Sequence, residues 1–169
     1  MFDITENAKL VSILHPISRA SAALTTEWIS MKNAKKATFI LDLGATASAS
    51  AFAVTLQVAD DASGTHSKTV GASTDLGLDH YYTQSGDTYT KTTVSSSTFN
   101  IANTANSTIH IIEAEAAGMG NFTSTSVEYN ADYVRLSAAT PGAHAAITSC
   151  MCLLTGLRYQ QDVPPSAIT

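Results

Sequence analysis

The chain has 169 residues, of which 68 are Ala, Thr or Ser, and only 14% are charged against roughly 25% in an average soluble domain. That length suits one domain, and a hydrophobic content of 44% excludes a disordered polyelectrolyte. Nine Lys and Arg against fourteen Asp and Glu give a net charge of −5, which argues against the clustered basic surface that direct nucleic-acid binding needs.

The start, MFDITENAKLVSIL, places Asp3 and Glu6 ahead of a short apolar run. It lacks the basic n-region and long apolar core of a secretory signal, and no apolar stretch approaches the ~20 residues that span a bilayer. A soluble protein made in the cytosol, with no membrane partner, is expected. Ile4, Ala8, Val11 and Leu14 recur at helical spacing, which predicts a short helix over about 5–14 stopped by His15-Pro16. Residues 1–35 are expected to form an N-terminal arm, helical or extended, that lies across the domain's sheet or a neighbouring subunit.

From Lys36 the apolar period becomes two. Phe39, Leu41 and Leu43 share one face, with Thr38, Ile40 and Asp42 on the other. Phe52, Val54, Leu56 and Val58 face inward, with Ala53, Thr55 and Gln57 outward. This is the pattern of half-buried antiparallel strands. Asp60-Asp61-Ala62-Ser63-Gly64-Thr65 reads as a turn, because Asp and Ser bond their own backbone and Gly accepts positive φ. Residues 66–107 form a polar insertion in which Tyr81–Gln84 and Thr88–Lys91 flank Ser85-Gly86-Asp87, a hairpin with an exposed tip. SSSTFNIANTANST has the composition of a loop anchored by Phe99 and Ile101.

The core resumes with Ile109, Ile111 and Glu113 on one face of a strand against His110 and Ile112 on the other. A Gly-rich loop spans residues 116–122, after which Val127, Tyr129, Val134 and Leu136 continue the alternation. The last strand, about 145–155, is apolar on both sides, with Ile147, Met151 and Leu153 opposite Cys150, Cys152 and Leu154. Burial of both faces is expected, as for a central or covered strand. The chain closes in an extended tail, 158–169, with Pro164-Pro165. Seven or eight short strands between turn signals predict an all-β fold, an antiparallel β-sandwich or jelly-roll-like barrel over residues 36–157.

Chemistry-bearing patterns are scarce. Cys150 and Cys152 fall on one face of a strand with Cα atoms roughly 6.6 Å apart, at the long edge of disulfide geometry, and two thiolates do not complete a zinc site. They read as small core residues. The five histidines (15, 66, 80, 110 and 144) include no H-x-H or H-x-x-x-H pair. Asp60, Asp61, Ser63 and Thr65 loosely resemble a calcium loop but lack its regular acidic positions and bidentate Glu. No G-x-S-x-G elbow or phosphate-cradling glycine loop occurs. Glu113 and Glu115 share a strand face as a glycosidase pair does, though a solvent-facing edge accounts for them. Asn106-Ser107-Thr108 and Asn121-Phe122-Thr123 match glycosylation acceptors that matter only in a secreted chain. No catalytic, cofactor-binding or metal-binding residue, and hence no cofactor and no enzymatic activity, is assigned.

Three stretches carry a resemblance: WISMKNAKKATFILDLG (Trp28–Gly44), VTLQVADDASGTHSK (Val54–Lys68), and YVRLSAA with CLLTGLRYQQDVPPSAI (within Tyr133–Ile168). Together they resemble a family of small tailed-bacteriophage virion proteins encoded among head genes. The resemblance implies a capsid decoration or cement protein, made in the host cytoplasm and bound to the head surface in many copies. A tail or connector component is the neighbouring reading. The implied partners are the major capsid protein and other copies of the chain. Candidate contact residues are Trp28, Lys32, Lys35 and Lys36, the tyrosines Tyr81, Tyr82 and Tyr89, and Tyr159, Pro164 and Pro165 in the tail. The same tyrosines support an alternative, a carbohydrate-binding or adhesin-like sandwich.

Overall fold

The structure, a computed structural model, describes residues 7–19, 23–45, 50–70, 80–94, 96–103, 107–139 and 146–158. Fourteen strands account for most of them. In chain order they are β1 (Ala8–Arg19), β2 (Leu24–Thr25), β3 (Ile29–Ser30), β4 (Lys36–Leu43), β5 (Ser50–Ala59), β6 (Ser67–Thr69), β7 (His80–Ser85), β8 (Thr88–Thr93), β9 (Thr98–Asn103), β10 (Thr108–Glu115), β11 (Asn121–Ser124), β12 (Val127–Asn130), β13 (Tyr133–Ala138) and β14 (Ala146–Thr155). One sheet, here sheet A, runs β1-β14-β4-β10-β7-β8. Sheet B runs β2-β13-β5-β6, with β3 also on β13 and β9 also on β5. Every pairing is antiparallel, and the sheets pack as a sandwich, not a closed barrel.

Alternation decides what fills the sandwich. Ala37, Phe39, Leu41 and Leu43 of β4 are buried, as are Val54, Leu56 and Val58 of β5, so both strands face as their period-two pattern predicts. Cys150, Cys152 and Leu154 of β14 and Ile112 and Ala114 of β10 complete the inner side of sheet A. Val134, Leu136, Ile101, Leu24 and Ile29 do so for sheet B. Such interdigitation is the main stabilising term, at roughly 25 cal/mol per Å² of apolar surface removed from water. Between β2 and β3 the chain leaves the ladder, and Thr26 covers the gap. Its amide donates to the Leu136 carbonyl at 3.0 Å and its hydroxyl accepts the Leu136 amide at 3.1 Å. Both backbone groups of Leu136 are thereby satisfied in the core.

Four expectations are corrected. The helix expected over about 5–14 is a strand: β1 pairs along β14, with register shifts between Ser12 and Leu14 and between Leu14 and Ile17. Val11 faces the core beside Cys152, and at the first bulge Ile13 and Leu14 turn inward in succession, so the strand shows no clean period of two. Pro16 is tolerated because β1 is an edge strand. Second, the loop expected after Ser95 contains β9, whose Ile101 is fully buried. Third, seven or eight strands become fourteen, because β2, β3 and β6 are only two or three residues long, and β1, β9 and the start of β11 fall where a helix or loops are expected. Fourth, β14 is central but buried on one face only. Ile147 is 62% and Met151 40% exposed.

The hairpin at Ser85-Gly86-Asp87-Thr88 forms as predicted, with Gly86 at φ +64°. A second hairpin, β11–β12, turns through Thr125 and Ser126 at φ +49° and +67°. Two successive left-handed residues make the two-residue turn that matches strand twist, here without the usual Asn-Gly signature.

Candidate docking face

The two outward faces of the sandwich differ. On sheet B, Thr55 donates its hydroxyl to the Ser137 carbonyl at 3.1 Å, and Arg135 Nε donates to Gln57 Oε1 at 2.8 Å. That face is polar and internally bonded. On sheet A, register aligns one residue from each of six strands in a single outward row: Ser12, Met151, Ile40, Ile111, Tyr82 and Lys91. The next row holds Leu10, Leu153, Thr38 and Glu113, and the row on the other side Ser149, Asp42, Ile109, Gln84 and Tyr89. Leu10 is 54% exposed. An apolar belt thus crosses five strands, exposed at Leu10 and Met151 and half-buried at Leu153, Ile40, Ile111 and Tyr82, where a monomeric soluble protein usually scatters such residues singly.

The predicted contact residues separate. Trp28 is buried, its ring beneath the Arg135 guanidinium, whose Cζ is 4.2 Å from the ring centroid, and its edge against Gly64. Tyr81 is buried on the inner side, with its hydroxyl donating to the Asn100 carbonyl at 3.1 Å. Neither is at the surface of the free chain: alternation in β7 turns Tyr81 inward, and Trp28, in the irregular stretch between β2 and β3, is covered by Arg135 and Gly64. Tyr82 and Tyr89 lie outward on sheet A. The basic cluster is divided. Lys32 pairs with Asp132 at 3.3 Å and lies 5.5 Å from the Tyr133 ring, while Lys36 pairs with Glu113 at 2.7 Å. Lys35 is exposed and its stem packs on Gly156, at a cleft of about 490 Å³ that also touches Glu115 and Arg158. Tyr159, Pro164 and Pro165 lie outside the described residues.

Other chemically suggestive groups have local partners. His110, fully buried on β10, is held between two hydroxyls: Thr83 Oγ1 is 3.0 Å from Nδ1 and Thr108 Oγ1 is 3.0 Å from Nε2. Burial lowers its pKa from 6.5 to about 4, so the ring is neutral at pH 7. Cys150 and Cys152 are free and buried, and burial pushes both thiols up, Cys152 to about 12. They are core residues, as their spacing predicts, and at neutral pH their sulfurs are protonated and unreactive.

Among the described residues one group brings metal-ligating types together: Asp60, Asp61 and His66. Asp61 Oδ1 already accepts the Ser63 hydroxyl at 2.8 Å and the Gly64 and Thr65 amides at 2.7 and 3.3 Å. The Ser63 hydroxyl, followed by those amides, holds the Asp61 carboxyl below its usual range. His66 Nδ1 lies 3.0 Å from Asp60 Oδ2, and its ring stacks on Tyr129 with centroids 4.0 Å apart. These bonds describe the predicted turn, pinned to the β11–β12 hairpin through the ring stack. A shallow cleft of about 250 Å³ beside it is lined by Val58, Lys68, Met119, Asn121 and Phe122, without a nucleophile–base pair.

No family model matches the chain, and no curated protein matches it significantly. The resemblance to tailed-phage virion proteins therefore has no sequence match behind it. Among solved structures, the chain aligns with one from the "Structure of infectious bursal disease virus Gt strain" at 11% identity and a TM-score of 0.23. The alignment covers 88% of this chain but 40% of the viral one, so the chain spans less than half the length of that neighbour. At that score the likeness carries no argument about fold or function.

Proposed function

We propose that this chain is a non-enzymatic structural component of an assembled particle, a virion protein that docks through the open face of sheet A. The finer reading follows the three resembling stretches: a decoration or cement protein, bound to a phage head in many copies beside the major capsid protein. The observation that carries the proposal is the contrast between the two outward faces among the described residues, one polar and self-bonded, the other crossed by an apolar belt that is exposed at Leu10 and Met151. A rigid sandwich with one open apolar side suits repeated packing, where small contacts per copy add up through multivalency. Mass spectrometry and electron microscopy of purified particles test the reading. Stoichiometric presence with density on the head supports it, and absence from intact particles refutes it.

A second reading rests on Tyr82 and Tyr89, which share that face with Gln84 beside them. Two outward aromatics at this spacing form a small platform for a sugar ring. Glycan-array binding lost in the Tyr82→Ala and Tyr89→Ala variants would favour this carbohydrate-binding reading over the structural one.

A further inference from the structure

We infer that the open face of sheet A packs against the same face of a second copy of this chain, the two related by a two-fold axis. The inference rests on the reading of that face as a docking surface and names its occupant. Three observations carry it.

The first is area. Six strands at a spacing of ~4.8 Å, with eight-residue β4 and β10 rising ~3.3 Å per residue, give a footprint of roughly 750 Å². A stable protein–protein interface buries about 800 Å² per partner. The whole face is therefore close to the size that a standard interface needs.

The second is chemistry. The belt formed by Leu10, Leu153, Met151, Ile40 and Ile111 is uncharged, and burying it removes water from apolar side chains on both copies. A strongly charged face would require an oppositely charged partner. Here Lys36 and Lys91 stand against Asp42, Glu113 and Glu115 around the belt, and Lys36 and Glu113 already neutralise each other at 2.7 Å. Although the whole chain carries −5, this face is nearly balanced and does not repel its own copy.

The third is symmetry. Sheets stack with their strands within about 30° of one another. A two-fold axis across the strands lays β4 of one copy over β4 of the other in the opposite sense, so the Lys36 end of each meets the Asp42 end of its partner. Ile40 and Ile111, near the middle of the face, then lie close to the axis. Such a self-complementary patch is the usual construction of a closed homodimer. Growth by edge pairing is blocked on the β1 side, where bulges and Pro16 interrupt the strand.

Sedimentation equilibrium of the full chain at ~100 µM is expected to give about twice 17.7 kDa. The double variant Ile111→Lys/Met151→Lys is expected to sediment as a monomer with an unchanged far-UV spectrum. Its dissociation constant should rise at least ~100-fold, because lysines would be buried against lysines. If the double variant does not fold, cross-linking decides. Ile40→Cys is expected to join two copies as a disulfide under mild oxidation, the buried Cys150 and Cys152 staying inert, while Thr55→Cys on sheet B is not. A wild-type mass of 17.7 kDa at that concentration overturns the inference, as does a dimer joined through Thr55→Cys and not through Ile40→Cys. A monomer still found on purified particles overturns only the self-association and leaves the structural reading standing. A dimer missing from particles does the reverse.

Discussion

Acid should destabilise this protein through one ring. His110 is fully buried with both nitrogens on threonine hydroxyls, and its folded pKa is about 4 against 6.5 in an unfolded chain. Because the folded value is depressed, the unfolded state binds the proton first. The stability contributed by the neutral ring is complete above pH 6.5 and is lost as the pH falls from 6.5 through 4. A difference of 2.5 pKa units corresponds to about 3 kcal/mol in full, of which about 2 kcal/mol is gone at pH 5. For a chain of this length that loss lowers Tm by roughly 4–8 °C. The assay is a series of melts between pH 7.5 and 4.5 on the wild type and on His110→Leu. The variant starts less stable, since two hydroxyls lose their partner, but its profile should be flatter over that window. Carboxylates and the other histidines titrate alike in both proteins and cancel. Equal acid lability in the two proteins would refute the assignment.

Other outcomes follow from the same geometry. Gly64→Ala combines a φ of +68° with a Cβ placed 2.4 Å from Trp28 Nε1, and should cost about 2–4 kcal/mol by denaturant unfolding. Phe39→Ala empties the middle of the sandwich and should cost about 3–5 kcal/mol in the same experiment. A thiol reagent should find no reactive cysteine in the native protein and two after unfolding, because burial keeps both sulfurs protonated and out of reach. Lys36→Ala, which removes a half-exposed ion pair, should change stability by less than about 1 kcal/mol, and a larger loss would mean that the pair does more than neutralise itself.

Much of the sandwich was legible because β4 and β5 alternate cleanly and the opposite sheet hides one side of each. The same rule failed wherever a bulge moved the period. In β1 a bulge sets Ile13 and Leu14 inward in succession and spoils the alternation, and in β11–β12 a Thr-Ser turn lacked the residues that advertise one. His110 could not be recognised as a core residue from local sequence, because its partners Thr83 and Thr108 make a polar ring compatible with burial only once β7 lies beside β10. The docking face was visible in part. Both sides of β14 read as apolar, and pattern alone does not tell cover supplied by the chain's own second sheet from cover supplied by another molecule.

The partnership of β1 with β14 also sets a timetable for folding. β14 lies between β1 and β4, so sheet A has a missing central member until residue 155 has been synthesised. Before then β1 has no neighbour in its sheet and β4 presents a bare edge, both rich in apolar residues and prone to pair with other chains. Contacts that join residues 8–19 to residues 146–155 also carry a large loop-closure cost, which slows folding. A ribosome-bound chain stopped before residue 146 should therefore be protease-sensitive and adhesive, and the protein should gain its solubility in one late step when its last strand closes the sheet.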